Sequence, residues 1–363
     1  NKGGILFDEK NVCSACNFKI VKARINWEER EKKLLTLLDR HRKSSGYDCI
    51  VPSSGGKDSS FTAHILKYKY NMNPLTVTWA PHIFTEPGWK NFQSLAHVGG
   101  IDNILYTPNG KLHRKLTQLA FLNLLHPFQP FIVGQKIIGP SIAAKFDIPL
   151  VFYGENQAEY GNPVEQNKNP AMDKSFFSSN EIDVNQISLG GVEINDILKN
   201  EKFKINDFTP YIPLSAETIH KKKIEMHYLG YYINWDQQEC YYYAAENTGF
   251  KPNDERSAGT YSKYCSFDDK VDDFHWFTTF IKFGIARATW DACQEIRTDK
   301  ITREEGVSLV KKYDGEFPKK YFKDFLDYID IDEELFWKKI NSFRSPHLWE
   351  KKDDKWILKK QVN

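Results

Sequence analysis

A short run of small polar residues between a strand-like and a helix-like segment constrains this chain most. The run is Ser54-Gly55-Gly56-Lys57-Asp58-Ser59-Ser60, and it separates the apolar segment 48–52 from the amphipathic segment 61–67. Glycines let a backbone approach an anion, and the N–H groups at a helix N-terminus favour negative charge. The order of strand, glycine turn and helix therefore predicts a phosphate-binding loop.

Asp58 is the unusual member of this loop, because a carboxylate repels phosphate unless a metal ion lies between them. The Walker pattern does not fit, since Gly55 and Gly56 are adjacent and Lys57 precedes an acid. The run resembles the Ser-Gly-Gly-x-Asp-Ser signature of the PP-loop ATP pyrophosphatases, which release AMP and pyrophosphate. A loop that only caps a helix is the alternative. The resemblance implies ATP, Mg²⁺ and a set of nucleotide contacts: Ser53, Ser54, Gly55, Gly56, Lys57, Asp58, Ser59 and Ser60.

Composition excludes several classes of protein. The 363 residues are enough for two or three domains, and a formal net charge of +2 gives no overall attraction to nucleic acid. The sequence contains neither a run of about 20 apolar residues, as a membrane span needs, nor a signal peptide at its start. The cysteine usage favours the reducing cytoplasm over a disulfide framework. Since the sequence begins with Asn1, we expect that an N-terminal piece is missing.

Strand-like and helical segments alternate after residue 48, which predicts an α/β fold with a mostly parallel sheet and helices on both faces. Ligands of such sheets bind at the carboxyl ends of the strands. The predicted strands are Cys49–Pro52, Leu75–Trp79, Ile104–Tyr106, Phe131–Val133 and Leu150–Tyr153.

The chain divides into four predicted parts. Residues 1–26 form a short cysteine-containing module, and residues 27–160 form the PP-loop α/β domain. Residues 161–220, rich in Asn, Ser and Pro, form an insertion or lid. Residues 221–363 form a mainly helical, aromatic-rich substrate region.

Cys13 and Cys16 have the spacing of metal ligands, but one such pair is only half of a tetrahedral zinc site. We expect a structural zinc site that a second pair would complete. A redox pair and chance spacing are the alternatives.

Residues after other predicted strands are further candidates for the site. Glu155 and Glu159 follow the last strand, and Glu155 together with Asp58 is our candidate for Mg²⁺ binding. Acids that stabilise a helix N-terminus are the alternative. Trp79 is placed to meet the adenine, and the Gly134-Gln135 backbone is placed to approach the nucleotide.

The C-terminal half contains two further candidate groups. Lys282 and Arg287 flank a glycine, and two cations suit a departing pyrophosphate. With Asp58 and Glu155 they are the predicted catalytic residues. Salt bridges to the aspartates at 268, 269, 272 and 273 are the alternative. The aromatic runs at 228–235 and 241–243 are candidates for a sugar platform, although such runs more often build cores.

Several runs together resemble the bacterial N-acetyl sugar amidotransferases, a PP-loop branch of flagellin-glycan and lipopolysaccharide pathways that include pseudaminic and legionaminic acids. The resemblance extends almost from end to end. Its runs are Gly4–Glu9 leading to Cys13–Cys16, Ser54–Ser60, Tyr228–Tyr232, Gly259–Tyr264 and Lys282–Thr289. Family members carry another Cys-x-x-Cys ahead of the stretch that opens this sequence.

The resemblance implies an enzyme that converts an acetamido group of a sugar or nucleotide sugar into an acetamidino group. ATP would adenylate the acetamido oxygen, and ammonia would displace AMP. The sequence has no glutaminase signature, so ammonia is expected from a separate glutaminase partner. Neither a membrane nor a nucleic acid is an expected partner.

Two other functions compete with this one. A tRNA-modifying adenylating enzyme uses the same loop, but the near-neutral charge and the lack of a long basic stripe argue against it. A scaffold or ammonia-handling subunit that keeps the loop as a relic is the other alternative, and the intact loop argues against that.

Overall fold

The computed structural model describes residues 5–160, 169–179 and 183–362. Its N-terminal and central helices and strands follow one another along the chain. They are α1 (Ser14–Lys22), α2 (Trp27–His41), β1 (Cys49–Pro52), α3 (Lys57–Tyr68), β2 (Pro74–Trp79), α4 (Glu86–His97), β3 (Asp102–Tyr106), α5 (Gly110–Leu124), α6 (Gln129–Phe146), β4 (Leu150–Tyr153), β5 (Ser178–Ser179), β6 (Ser188–Leu189), β7 (Val192–Glu193) and α7 (Ile194–Asn200).

The C-terminal part is mainly helical. Its elements are β8 (Leu214–Ser215), α8 (Ala216–Lys221), β9 (Glu225–Tyr228), α9 (Leu229–Tyr232), α10 (Gln237–Asn247), α11 (Asp272–Phe283), α12 (Arg287–Arg297), α13 (Arg303–Tyr313), α14 (Phe322–Ile329), α15 (Glu333–Ser342), β10 (Trp349–Lys352) and β11 (Lys355–Leu358). No helix in the described parts of the chain is long and apolar enough to cross a membrane.

A five-stranded sheet in the order β3-β2-β1-β4-β9 forms the centre, and all of its strand pairs are parallel. The predicted α/β fold with a helical C-terminal region is therefore confirmed. The chain builds outward from β1 through β2 to β3, and then returns to place β4 on the other side of β1. Open α/β sheets bind ligands at such a reversal, outside the carboxyl ends of the strands.

Both faces of the sheet are buried, because successive side chains of a strand point to opposite sides. On β1, Ile50 joins the core that contains Ile138 and Ile142 of α6. Its neighbours Cys49 and Val51 join the other core, together with buried leucines of α2 and α3. This double burial explains why β1 is an uninterrupted apolar run.

The sequence predicted most strands correctly and made one clear error. Phe131–Val133 is not a strand but part of α6, in which Pro130 occupies the first turn. Short apolar runs do not distinguish a buried strand from a buried helix, and here the helix is buried against β1 and β2. Gly134 and Gln135 therefore lie within a helix and not at the end of a strand.

The strand β9 was not predicted. It lies beyond residue 220 and pairs with β4, so the sheet extends past the domain end predicted at residue 160. The predicted insertion at 161–220 has a few short strands and helices in its described part, while residues 161–168 and 180–182 lie outside the described residues.

The termini pack against the rest of the chain. On α1, Lys22 Nζ lies 2.6 Å from Glu159 Oε1, and Lys19 Nζ lies 2.5 Å from Asp299 Oδ1. The C-terminal helices share an aromatic core in which the Phe274 and Phe325 rings stack at 4.2 Å. The cysteine module is thus held against both the loop after β4 and the end of α12.

Buried histidines link the sheet domain to the C-terminal helices. The rings of His126 and His275 stack at 4.9 Å. Burial lowers the pKa of His126 to about 4, with a smaller effect from nearby Lys282. Burial also holds the pKa of His113 and His275 well below the ordinary histidine value. These imidazoles are neutral in the folded protein at pH 7.

We expect the protein to lose stability as the pH falls below 6.5. An unfolded histidine binds a proton near pH 6.5, whereas folded His126 resists protonation down to about pH 4. Its contribution is therefore complete above pH 6.5 and falls by up to about 1.4 kcal/mol per pH unit across that window. Urea unfolding at a series of pH values measures this slope. His126→Phe should flatten it, while His97→Gln, at an exposed position, should not; equal slopes in all three proteins would contradict the assignment.

Candidate functional site

The glycine-serine loop lies at the carboxyl end of β1 and is fixed by its own side chains. Ser53 N donates to Val77 O at 2.9 Å, which continues the pairing of β1 with β2. The hydroxyls of Ser53 and Ser59 are bonded at 2.9 Å, and Ser59 Oγ also donates to Gly56 O at 3.1 Å. These serines therefore brace the loop from behind.

Gly55 is required by both conformation and space. Its φ is +84°, in the region that favours glycine. A Cβ atom there would lie 2.5 Å from Phe92 Cα, in the backbone of α4. Gly56 follows as the residue before α3, and no side chain caps that helix. The first turn of α3 thus presents backbone N–H groups to an anion, as the sequence predicted.

A cavity of about 350 Å³ opens in front of this loop. One wall is the loop with Glu155, and the opposite wall comes from residues 250–294. The lining residues are Ser54, Gly55, Gly56, Lys57, Asp58, Gly88, Asn91, Glu155, Gln237, Phe250, Tyr264, Cys265, Ser266, Phe267, Asp268, Trp276, Arg287, Trp290 and Gln294. The structure therefore brings the predicted residues Glu155 and Arg287 together with the loop.

Lys57 and Asp58 form an ion pair at the start of α3. Burial opposes the charge of Lys57, but the Asp58 carboxylate outweighs burial and raises the Lys57 pKa. Asp58 Oδ1 is buried and has no hydrogen-bond partner among the described residues. An unsatisfied carboxylate oxygen beside a phosphate-binding loop suits Mg²⁺, which typically uses one or two carboxylates plus substrate phosphates. Asp58 and Glu155 fit that role.

Arg287 begins α12 on the opposite wall. Its Nε lies 3.0 Å from Asp291 Oδ1, and its guanidinium lies over the Trp276 ring at 5.1 Å. Burial disfavours the charge of Arg287, but Asp291 outweighs burial and raises its pKa. Asp314 holds the start of the same helix, because it accepts from Ala286 N at 3.0 Å and from Thr289 N at 3.1 Å.

Asp268 and Asp269 join this wall to the sheet domain. Asp269 is buried and accepts from His82 N and His82 Nδ1, both at 2.7 Å, and from Val271 N at 3.0 Å. Asp268 O accepts from Thr85 N at 3.1 Å. The Asp268 side chain faces the loop, where burial and the Asp269 charge raise its pKa against the effect of a hydrogen bond from Ser54.

Several predicted residues lie away from the cavity. Lys282 donates to Leu124 O at 2.9 Å, so it does not form a cationic pair with Arg287 there. Trp79 packs against Gly134, whose Cβ would lie 2.3 Å from the Trp79 ring. Gln135 is exposed on α6. Lys282 follows Phe283 and Gly284 at the end of α11, and the turn at Gly284 sends the two cations in different directions.

The aromatic side of the cavity differs from the predicted sugar platform. Tyr232 bonds to His227 at 2.8 Å, and Tyr243 bonds to His64 at 2.9 Å, so these tyrosines have partners within the fold. The cavity uses other aromatic residues, which are Phe250, Tyr264, Phe267, Trp276 and Trp290. Sequence reasoning missed Trp276 and Trp290 because only the packing of α11 against α12 brings them together, at 5.6 Å.

A family model described as the C-terminal domain of WbpG-like lipopolysaccharide biosynthesis proteins matches residues 258–363. This part of the chain is a WbpG-like C-terminal domain. It contains Asp268, Asp269 and Arg287, so the WbpG-like domain supplies one wall of the cavity. The match confirms the predicted family relationship and supports a role in glycan biosynthesis.

Two other proteins resemble parts of the chain. An uncharacterized protein of Methanocaldococcus jannaschii is 36% identical over 74 residues, which span 20% of this chain and 26% of that protein. A structure described as a predicted subunit of tRNA methyltransferase from the same organism shares 15% identity and covers 62% of this chain and 83% of that one, with a TM-score of 0.29. The second likeness is too low to carry an argument.

The predicted zinc site gains no support. Cys13 caps α1 by accepting from Cys16 N at 3.5 Å. Within residues 5–160, 169–179 and 183–362, no group of three or more His, Cys, Asp or Glu side chains is arranged to hold a metal ion. Mg²⁺ at Asp58 and Glu155 would therefore need ligands from a bound nucleotide, and zinc at Cys13 and Cys16 stays a prediction.

We expect Gly55→Ala to abolish nucleotide binding and to destabilise the fold, because the new methyl group meets the α4 backbone. Gly46→Ala is the matched control, since Gly46 has a similar φ of +80° but nothing within 4 Å of its Cβ position. It should cost only the left-handed backbone penalty, about 1 kcal/mol. Thermal unfolding and MgATP titration measure both effects. Equal losses in the two variants would show that conformation alone, and not the approach to Phe92, requires Gly55.

Proposed function

We propose that this protein is an ATP-dependent amidotransferase that converts a sugar acetamido group into an acetamidino group during synthesis of a bacterial surface glycan. One observation carries the proposal: a pyrophosphatase-type loop and Arg287 of a WbpG-like domain line the same cavity. The loop suits a nucleotide triphosphate, and the domain relates the chain to lipopolysaccharide biosynthesis.

The reaction would begin when the acetamido oxygen attacks the α-phosphorus of ATP. A phosphorus–oxygen bond forms to the sugar amide, the bond to the β-phosphate breaks, and pyrophosphate leaves. Ammonia then attacks the imidate carbon, the carbon–oxygen bond breaks, AMP leaves with that oxygen, and the excess proton is lost to solvent. Each step places negative charge on a departing phosphate, so preorganised positive groups accelerate both.

The residues of the cavity suit these requirements. The Gly55–Gly56 backbone and the N-terminus of α3 would hold the β- and γ-phosphates. Mg²⁺ at Asp58 and Glu155 would neutralise phosphate charge. Arg287 would face the same phosphates from the opposite wall, and Trp276 or Trp290 offers an apolar face on which a sugar ring can stack.

The remaining parts of the proposal concern partners. The acceptor would be an acetamido sugar, either free or linked to a nucleotide, of the kind used for flagellin or lipopolysaccharide glycans. Ammonia would come from a separate glutaminase, and the reaction would take place in the cytoplasm. None of these steps needs a nucleic acid or a membrane.

Mass spectrometry of the products tests the proposal. Protein, MgATP and ammonium would be incubated with a panel of free and nucleotide-linked acetamido sugars. We expect AMP, pyrophosphate and a sugar in which NH replaces oxygen. ADP and phosphate would contradict the mechanism. Turnover on tRNA, with no turnover on any sugar, would replace it with a tRNA-modifying function.

We expect Asp58→Asn to lower the rate of AMP release at least about 100-fold, because it removes a carboxylate placed for Mg²⁺ while keeping the shape of the side chain. Asp327→Asn, at an exposed position of α14, is the matched control and should keep the wild-type rate. If Asp58→Asn retained the wild-type rate and Mg²⁺ dependence, Asp58 would have no part in the chemistry.

A further inference from the structure

Arg287 is held in place by a chain of two buried side chains that no motif assigns to the site. Thr260 Oγ1 donates to Asp291 Oδ2 at 2.5 Å, and Asp291 Oδ1 lies 3.0 Å from Arg287 Nε. Thr260 is fully buried, and only 6% of Asp291 is exposed. The two oxygens of Asp291 are thus divided between a hydroxyl that anchors it and a guanidinium that it orients.

The direction of the Thr260 hydroxyl is fixed. Its oxygen accepts from Ser262 N at 3.2 Å, so its own hydrogen is directed to Asp291. The loop that carries Thr260 is held against the start of α12, because Ala288 N donates to Gly259 O at 3.0 Å. Thr260 therefore has little freedom to follow Asp291 if that carboxylate moves.

The guanidinium of Arg287 is restrained on two sides. Asp291 engages the Nε edge, and the Trp276 ring lies beneath the plane. Trp276 is itself fixed, since its Nε1 donates to Ser266 Oγ at 3.1 Å. Within the described parts of the chain, Nη1 and Nη2 of Arg287 make no hydrogen bond to protein, and the residue lines the phosphate cavity. A planar pair of donors held in this way suits a phosphate group.

We propose that Thr260 and Asp291 are positioning residues that aim Arg287 at the pyrophosphate part of ATP. They act through Arg287 and do not touch the nucleotide. The inference rests on the proposed use of ATP, but it is independent of the sugar and of the ammonia donor. It also gives a physical reason for the Gly-Thr run at 259–260 and for the acid one turn after Arg287.

Calorimetric titration of the full chain with MgATP, magnesium pyrophosphate and AMP tests this. We expect Asp291→Asn and Thr260→Val to weaken binding of ATP and pyrophosphate about tenfold, since each disturbs a charge-assisted bond at Arg287. AMP should bind within about twofold of wild type, because it lacks the pyrophosphate. Thr260→Ser keeps the hydroxyl and should restore wild-type affinity. A purely structural role would weaken all three ligands alike and would overturn the inference.

A double-mutant cycle separates action through Arg287 from a direct effect. In an Arg287→Ala background, Asp291→Asn should cause no further loss of pyrophosphate affinity. Additive losses would overturn the inference. Should Asp291→Asn fail to fold, the comparison of Thr260→Val with Thr260→Ser decides alone. Wild-type protein that binds neither ATP nor pyrophosphate would overturn both this inference and the proposed function, whereas binding without an acetamidino product would overturn only the latter.

Discussion

The cavity depends on one buried carboxylate. Asp269 lies at the start of the WbpG-like domain and accepts hydrogen bonds from His82, Ile83 and Val271. His82 and Ile83 belong to the segment that leaves β2, so Asp269 joins the C-terminal domain to the carboxyl edge of the sheet. A buried carboxylate is stable only when such donors satisfy it, and loss of that set would leave a costly unpaired charge. The neighbouring Asp268 faces the loop because Asp269 fixes the backbone beside it.

Close backbone contacts keep the two walls at a constant separation. Gly55 approaches the α4 backbone, and Gly88 at the start of α4 would place a Cβ 2.5 Å from Asp268 Cα. The helix α4 is therefore pressed between the loop on one side and the WbpG-like domain on the other. Since packed backbones resist small displacements, the distance from the loop to Arg287 is set by the fold and not by the ligand. Such preorganisation suits a reaction whose main requirement is the stabilisation of charge.

The second wall is rigid for a different reason. Its charges are arranged in pairs that share donors, such as Arg256 with Glu316 at 2.5 and 2.8 Å, while Glu316 also accepts from Gly259 N at 3.1 Å. Asp314 and Asp291 serve the start and the first turn of α12 in the same way. A C-terminal region that looks like a charged, aromatic set of helices in sequence is thus an ordered scaffold around one arginine.

The sequence by itself determined the local parts of this protein. Ser54–Ser60 predicted the loop, and apolar runs predicted β1 and β4 at their observed bounds, because glycine conformation, helix capping and strand burial are properties of short segments. Only the tertiary structure decided the rest. It placed residues 131–133 in a helix, added β9 to the sheet, kept Arg287 in the cavity and removed Lys282, and brought Trp276 and Trp290 together. These outcomes depend on which buried face meets which, and contacts between segments more than a hundred residues apart leave no periodic signal in the chain.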